Sequence, residues 1–167
     1  MPKLSRNFAL KYYSIYKISC LSENELKDIL YITDYLDDNG DSIEYSDLYS
    51  DEVQNFLINF YCQIVFAGVS NEFLEKFIKD CFKENYTVIG KEKELYKCHC
   101  CGYLTLESRG EYDVCPVCFW EDDGKSEASQ DNYSYANAST LRNYRESKLK
   151  EINTNIIPFK KGYENSQ

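Results

Sequence analysis

Two Cys-x-x-Cys pairs, Cys98/Cys101 and Cys115/Cys118, lie thirteen residues apart in KCHCCGYLTLESRGEYDVCPVCFWEDDG. No other feature restricts the fold as tightly. A two-residue gap folds as a tight turn that points both sulfurs to one side, and two such turns can present four thiolates to one ion. Gly102 follows the first pair and permits the left-handed backbone such a turn often needs. Pro116 presets the turn of the second. Cys98, Cys101, Cys115 and Cys118 are therefore the candidate metal ligands. Zinc is the expected ion, tetrahedral with sulfurs at about 2.3 Å, and iron accepts the same ligand set. Four thiolates leave no position for water or substrate, which predicts a structural centre rather than a catalytic one. Between the pairs, Tyr103–Glu107, Ser108–Glu111 and Tyr112–Val114 read as strand, turn and strand, a hairpin linking the two turns.

Cys100 is left over. It either replaces Cys101 as a ligand or stands as a free thiol. His99 is the single histidine, and its place inside the first turn predicts that it faces outward. Any Cys–His or Ser–His catalytic arrangement would have to use it beside the metal, so the chain is expected not to be an enzyme. Trp120 is expected to pack between this module and the helices before it. Glu121-Asp122-Asp123 reads as a solvated turn.

The residues before about Asn85 read as helices. Apolar residues cover nearly all sides of Ser5–Ser19. Ser22 and Glu25 form a capping box, in which side chains satisfy orphan amides at a helix start. Leu26, Ile29, Leu30, Thr33 and Leu36 mark one face, and Asp38–Asp41 supplies the stop. Ser50 caps a helix whose apolar positions run from Val53 through Ile64 and Val65, and Gly68 reads as its left-handed cap. Ser70 caps the next, which bears Phe73, Leu74, Phe77, Ile78, Cys81 and Phe82. Cys20, Cys62 and Cys81 read as small core hydrophobes. After Gly124 come a polar loop, a helix from about Ser139, and a tail docked by Ile156, Ile157 and Phe159. The expected fold is α+β and mostly helical. An N-terminal helical bundle (residues 1–90) packs on a small rubredoxin-like zinc ribbon (91–124), followed by a loop, a C-terminal helix and a tail (125–167).

The net charge of −9 disfavours nucleic acid and anionic membranes and favours a basic partner. The charge is most one-sided between Asp34 and Glu52, with eight acids and no Lys or Arg. Asp34, Asp37, Asp38, Asp41, Glu44 and Asp47 are the candidate partner-binding residues, since complementary charge speeds and orients association. The sixteen tyrosines suit a protein–protein surface as well as a wet core boundary. The sequence shows no signal peptide and no membrane-spanning stretch, which predicts a cytoplasmic protein with reduced or metal-bound cysteines.

The stretch from Cys98 to Gly124 resembles the small bacterial cysteine-rich CPCC proteins, whose pattern is roughly CPCCGY, a short hairpin, then YDICPVCFWEDDG. This chain has CHCCGY, ESRGEYDV and CPVCFWEDDG, with His99 where the family has Pro. The resemblance implies a metal-binding cysteine module. It also implies a role as an immunity partner of a polymorphic bacterial toxin, a protein that neutralises one toxin by tight binding without chemistry of its own. The alternatives are a structural zinc-ribbon adaptor with another partner, a nucleic-acid-binding zinc module, or a thiol or metal enzyme.

Overall fold

A computed structural model describes residues 1–33, 35, 47–152 and 157–162. It is a mixed structure of helices and small sheets. Among the described residues there are five α-helices and three two-stranded sheets. They fall into two compact units: Met1–Ala67 with Leu74–Gly90, and Gly68–Phe73 with Lys91–Gln167.

The first unit is held by its helices. Helix α1 (Arg6–Ser19) starts at Ser5, whose hydroxyl accepts from the Phe8 amide at 3.3 Å. It buries Ala9, Leu10, Tyr13 and Ile18 and leaves Phe8, Tyr12, Ile15 and Tyr16 partly in solvent. That matches the all-round apolar character of its sequence. The capping box of α2 (Glu23–Ile32) forms: the Ser22 amide donates to Glu25 at 2.8 Å, and Ser22 accepts from the Glu25 amide. Helix α3 (Asp51–Phe60) is capped by Ser50 and carries acids in its first turn, where they complement the helix dipole. Leu26, Leu30, Val53 and Leu57 close one core with Ile18, Tyr35 and Leu48.

Beyond Phe60 the chain widens into a π turn, Tyr61–Val65, sealed by the Phe66 amide donating to the Tyr61 carbonyl at 2.7 Å. The wider turn rotates the following residues, so Ile64 is 60% exposed instead of continuing the buried face expected of it. Gly68 also departs from expectation. It does not adopt a positive φ. Its small size serves packing, since a Cβ there would come within 2.2 Å of Leu95 Cδ1. Ser70 does cap α4 (Asn71–Phe82), accepting from the Phe73 amide at 3.1 Å. Strand β1 (Lys3–Ser5) pairs in parallel with β2 (Thr87–Ile89), in the register Leu4 opposite Val88.

The second unit is built on turns. Strand β3 (Tyr96–Lys97) runs antiparallel to β4 (Leu104–Leu106). Strands β5 (Tyr133–Ser134) and β6 (Ser139–Thr140) form a second small ladder ahead of α5 (Leu141–Ile152). Leu106, Trp120, Leu141 and Ile152 enclose the cysteine-rich centre, with Tyr103, Val117, Tyr144 and Ile157 packed against them. The tail is laced in by its backbone. Pro158 accepts from the Ser70 amide, Lys160 accepts from the Leu104 amide, and the Gly162 amide donates to Gly102, at 2.8–3.0 Å. Phe159 is buried, as the tail's apolar residues suggest, while Ile156 lies outside the described residues. No helix among the described residues is long and apolar enough to cross a membrane.

Candidate metal centre

Each Cys-x-x-Cys pair sits in a turn closed by the same two backbone hydrogen bonds. In the first turn the Cys98 amide donates to Tyr103 (2.9 Å) and the Gly102 amide donates to Cys98 (2.8 Å). In the second the Cys115 amide donates to Trp120 (2.9 Å) and the Phe119 amide donates to Cys115 (2.8 Å). The residue after each pair is left-handed: Gly102 with φ +80° and Phe119 with φ +61°. This local repetition revises the expected hairpin. Tyr103–Glu107 does not pair with Tyr112–Val114. Strand β4 instead pairs back across the first turn onto β3, and Val114 bridges to Glu121 across the second. Each turn therefore carries its own short ladder.

The two turns face each other. The four Sγ atoms of Cys98, Cys101, Cys115 and Cys118 all lie within 4.8 Å of one another, and all four residues are buried. Between the turns, Cys98 lies 3.7 Å from Cys118 and Cys101 lies 3.6 Å from Cys115, sulfur to sulfur. A disulfide would need about 2.05 Å. Tetrahedral thiolates at about 2.3 Å from an ion would sit about 3.8 Å apart. The donor set, its spacing and its burial thus fit a four-coordinate metal ion.

The thiols influence one another strongly. Hydrogen bonding from Cys101, then from Cys118 and Cys98, pulls the Cys115 thiol far below the usual thiol range, and Thr105, whose hydroxyl lies 3.1 Å from the Cys115 sulfur, acts in the same direction. Hydrogen bonds from Cys100 and the other thiols push Cys118 up. Cys101 is pushed up as well, chiefly by Cys115, so the four thiols are tied together in their protonation.

Around the thiols the structure recruits residues that sequence reading passed over. Asp122, read as part of a solvated turn, has no exposed surface. Its Oδ2 accepts from Arg109 Nε at 2.7 Å and from the Gly110 amide at 2.8 Å, which fixes the loop between the two turns. Asp123 pairs with Lys125 at 3.2 Å. Asn137 brackets Glu121, accepting from its amide and donating to its carbonyl at 2.8–2.9 Å. Trp120 packs within this unit, its ring 5.2 Å from that of Tyr144. Only the Cys spacing announced this region. An acidic run such as Glu121–Asp123 looks solvated until its basic partner, thirteen residues upstream, is known.

Cys100 is 3% exposed and lies in the same core, outside the group of four. His99 is half-buried and does not face outward as expected. Its Nδ1 is buried without a partner among the described residues, and burial lowers its pKa. Cys20 and Cys81 are exposed rather than core residues, and Cys62 is half-buried with its thiol 3.2 Å from the Ser14 hydroxyl. Of the acidic candidates, Asp34, Asp37, Asp38, Asp41 and Glu44 lie outside the described residues. Asp47 is exposed and accepts from the Tyr49 amide at 2.9 Å.

The second unit is thus defined by a buried cluster of four cysteines, carried on two matching turns and positioned to hold a metal ion. Residues 96–150, about a third of the chain, match the family described as cysteine-rich CPCC. No curated protein and no solved structure matches the chain.

Proposed function

We propose that Cys98, Cys101, Cys115 and Cys118 hold one Zn²⁺ as four thiolates in a rubredoxin-like ribbon, and that the chain is a non-enzymatic protein that works by binding. The observation that carries the metal reading is the convergence of four buried thiols at tetrahedral spacing. The ion would contribute folding free energy to a unit with little regular secondary structure, because a structural metal binds the folded state alone. Iron suits the same ligands, and metal analysis of the purified chain separates the two. Cys115→Ser should lose the metal, and full metal content in that variant would remove the assignment.

The binding partner we propose is a basic toxin domain, neutralised by a tight complex in the cytoplasm. The acidic balance and the resemblance to CPCC proteins support this reading. So does the exposed apolar surface: Phe8, Tyr12, Ile15 and Tyr16 on α1, and Tyr112, Val114 and Phe119 beside the second Cys turn, are unusually open for side chains of their type. Co-purification of the tagged chain with the products of adjacent genes, followed by co-expression of any retained protein, tests it. Relief of that protein's toxicity would establish the role. A retained partner that is not toxic would assign the chain to an adaptor role instead.

A further inference from the structure

Two adjacent residues of α5 reach the two Cys turns separately. The Tyr144 hydroxyl donates to the carbonyl of Cys118, the last cysteine of the second turn, at 3.0 Å. Arg145 Nη2 donates to the carbonyl of His99, inside the first turn, at 2.6 Å. Glu127 aims that guanidinium by gripping it in a fork, Nη1 to Oε2 at 3.1 Å and Nη2 to Oε1 at 2.5 Å. The helix itself is seated in the same core as the thiols through Leu141 and Ile152.

We propose that Tyr144 and Arg145 form a clasp across the two turns and set how slowly the centre releases its metal ion. The proposal rests on the metal reading above. Releasing an ion from four thiolates requires the turns to move apart. Neither turn can swing away from α5 without breaking one of these hydrogen bonds, so one helix cross-links both. Charge adds to the effect. A dication with four thiolates carries two net negative charges, in a chain whose own balance is −9. Arg145 brings a cation to the backbone of the first turn. Arg142, on the same helix, is likewise paired with a carboxylate, Asp131 at 2.6 Å, but its guanidinium makes no such bond to a Cys turn among the described residues, so it provides a control.

The test uses the full chain loaded with Co²⁺, whose thiolate charge-transfer absorbance reports the intact centre. Decay is followed after mixing with excess EDTA, and the experiment is repeated with Zn²⁺ and a chromogenic chelator. Tyr144→Phe and Arg145→Met should speed release by about 10- to 100-fold, if the usual loss of metal affinity on removing residues that orient the ligands falls on the release step. Arg145→Lys, which keeps the charge and loses the fork, should fall between them and the wild type. Arg142→Met should release at the wild-type rate. Wild-type rates in both Tyr144→Phe and Arg145→Met would overturn the clasp, as would equal acceleration by Arg142→Met. A wild-type chain that develops no thiolate–cobalt band would overturn the metal reading, and the clasp with it. If Arg145→Met does not fold, Tyr144→Phe, which removes one hydroxyl, carries the test alone.

Discussion

The matched Cys turns allow a backbone argument to be tested twice in one molecule. Gly102 and Phe119 occupy the same place in their turns, both left-handed, at φ +80° and +61°. A Cβ added at Gly102 would meet nothing closer than Lys161 Cε at 3.9 Å. The cost of Gly102→Ala is therefore conformational and not steric. An L-residue forced left-handed costs about 1–2 kcal/mol. Alanine recovers about 0.4–1 kcal/mol by narrowing the unfolded ensemble. The net expectation is a destabilisation of about 0.8 kcal/mol from the middle of these ranges, and at most about 1.6 kcal/mol. At Phe119 the ring complicates any direct comparison, since it is 66% exposed and loses its remaining contacts on truncation. Comparing Phe119→Gly with Phe119→Ala cancels that loss. Glycine should then be the more stable of the two by a similar margin, the reverse of the ordinary order in regular structure. Urea unfolding at fixed metal concentration, followed by the fluorescence of the single tryptophan, reads the second unit alone, because Trp120 is buried there. If alanine equals or exceeds glycine at either position, the left-handed geometry is not the source of strain and the reasoning fails.

Other outcomes follow from the same geometry. Cys100→Ser should leave metal stoichiometry unchanged, because Cys100 stands outside the converging group; loss of half the metal by elemental analysis would place it among the ligands. Asp122→Ala should destabilise the second unit by about 2–3 kcal/mol, somewhat below a fully buried pair because Arg109 stays 26% exposed, and the Trp120 unfolding curve measures it. Burial pushes the Tyr13 phenol up to about 12. Its neutral form is thus favoured in the folded state, and its contribution is complete below about pH 10 and lost as pH rises from there to about 12. Alkaline melts of the wild type should steepen over that window relative to Tyr13→Phe, and identical profiles would dismiss Tyr13 as the group involved.

Local chemistry was the legible part of this chain. Ser22, Ser50 and Ser70 each cap a helix as read, because a cap depends on residues within one turn of it. The Cys-x-x-Cys spacing is equally local, and it located the four thiols that meet. Features that depend on distant partners were hidden. The strand at Leu104–Leu106 had two strand-like neighbours to choose from, and the choice fell on Tyr96–Lys97 because each Cys turn is closed by its own flanks. Asp122 is legible as a buried anion only once Arg109 is folded against it. The π turn at Tyr61–Val65 left no mark, since the three–four spacing of apolar residues runs on unbroken through it. Cys20, just past the end of α1, and Cys81, within α4, are exposed, so a cysteine's general preference for the interior did not decide either position.

The stretch that can be recognised by sequence is not the stretch that folds. The family match ends at residue 150, yet the second unit also draws on Gly68–Phe73 and on the tail beyond the match. Val69, with no exposed surface, bridges to Phe159, and Tyr103 bridges to Lys161 just after the first Cys turn. An excised 96–150 segment would keep the four thiols of the centre and lose the lacing on one side of their scaffold. Evolutionary bookkeeping and mechanical integrity therefore draw different borders here, and a graft of this centre into another protein has to carry two separate stretches of chain, Gly68–Phe73 and Lys91–Gln167, and not the matched segment alone.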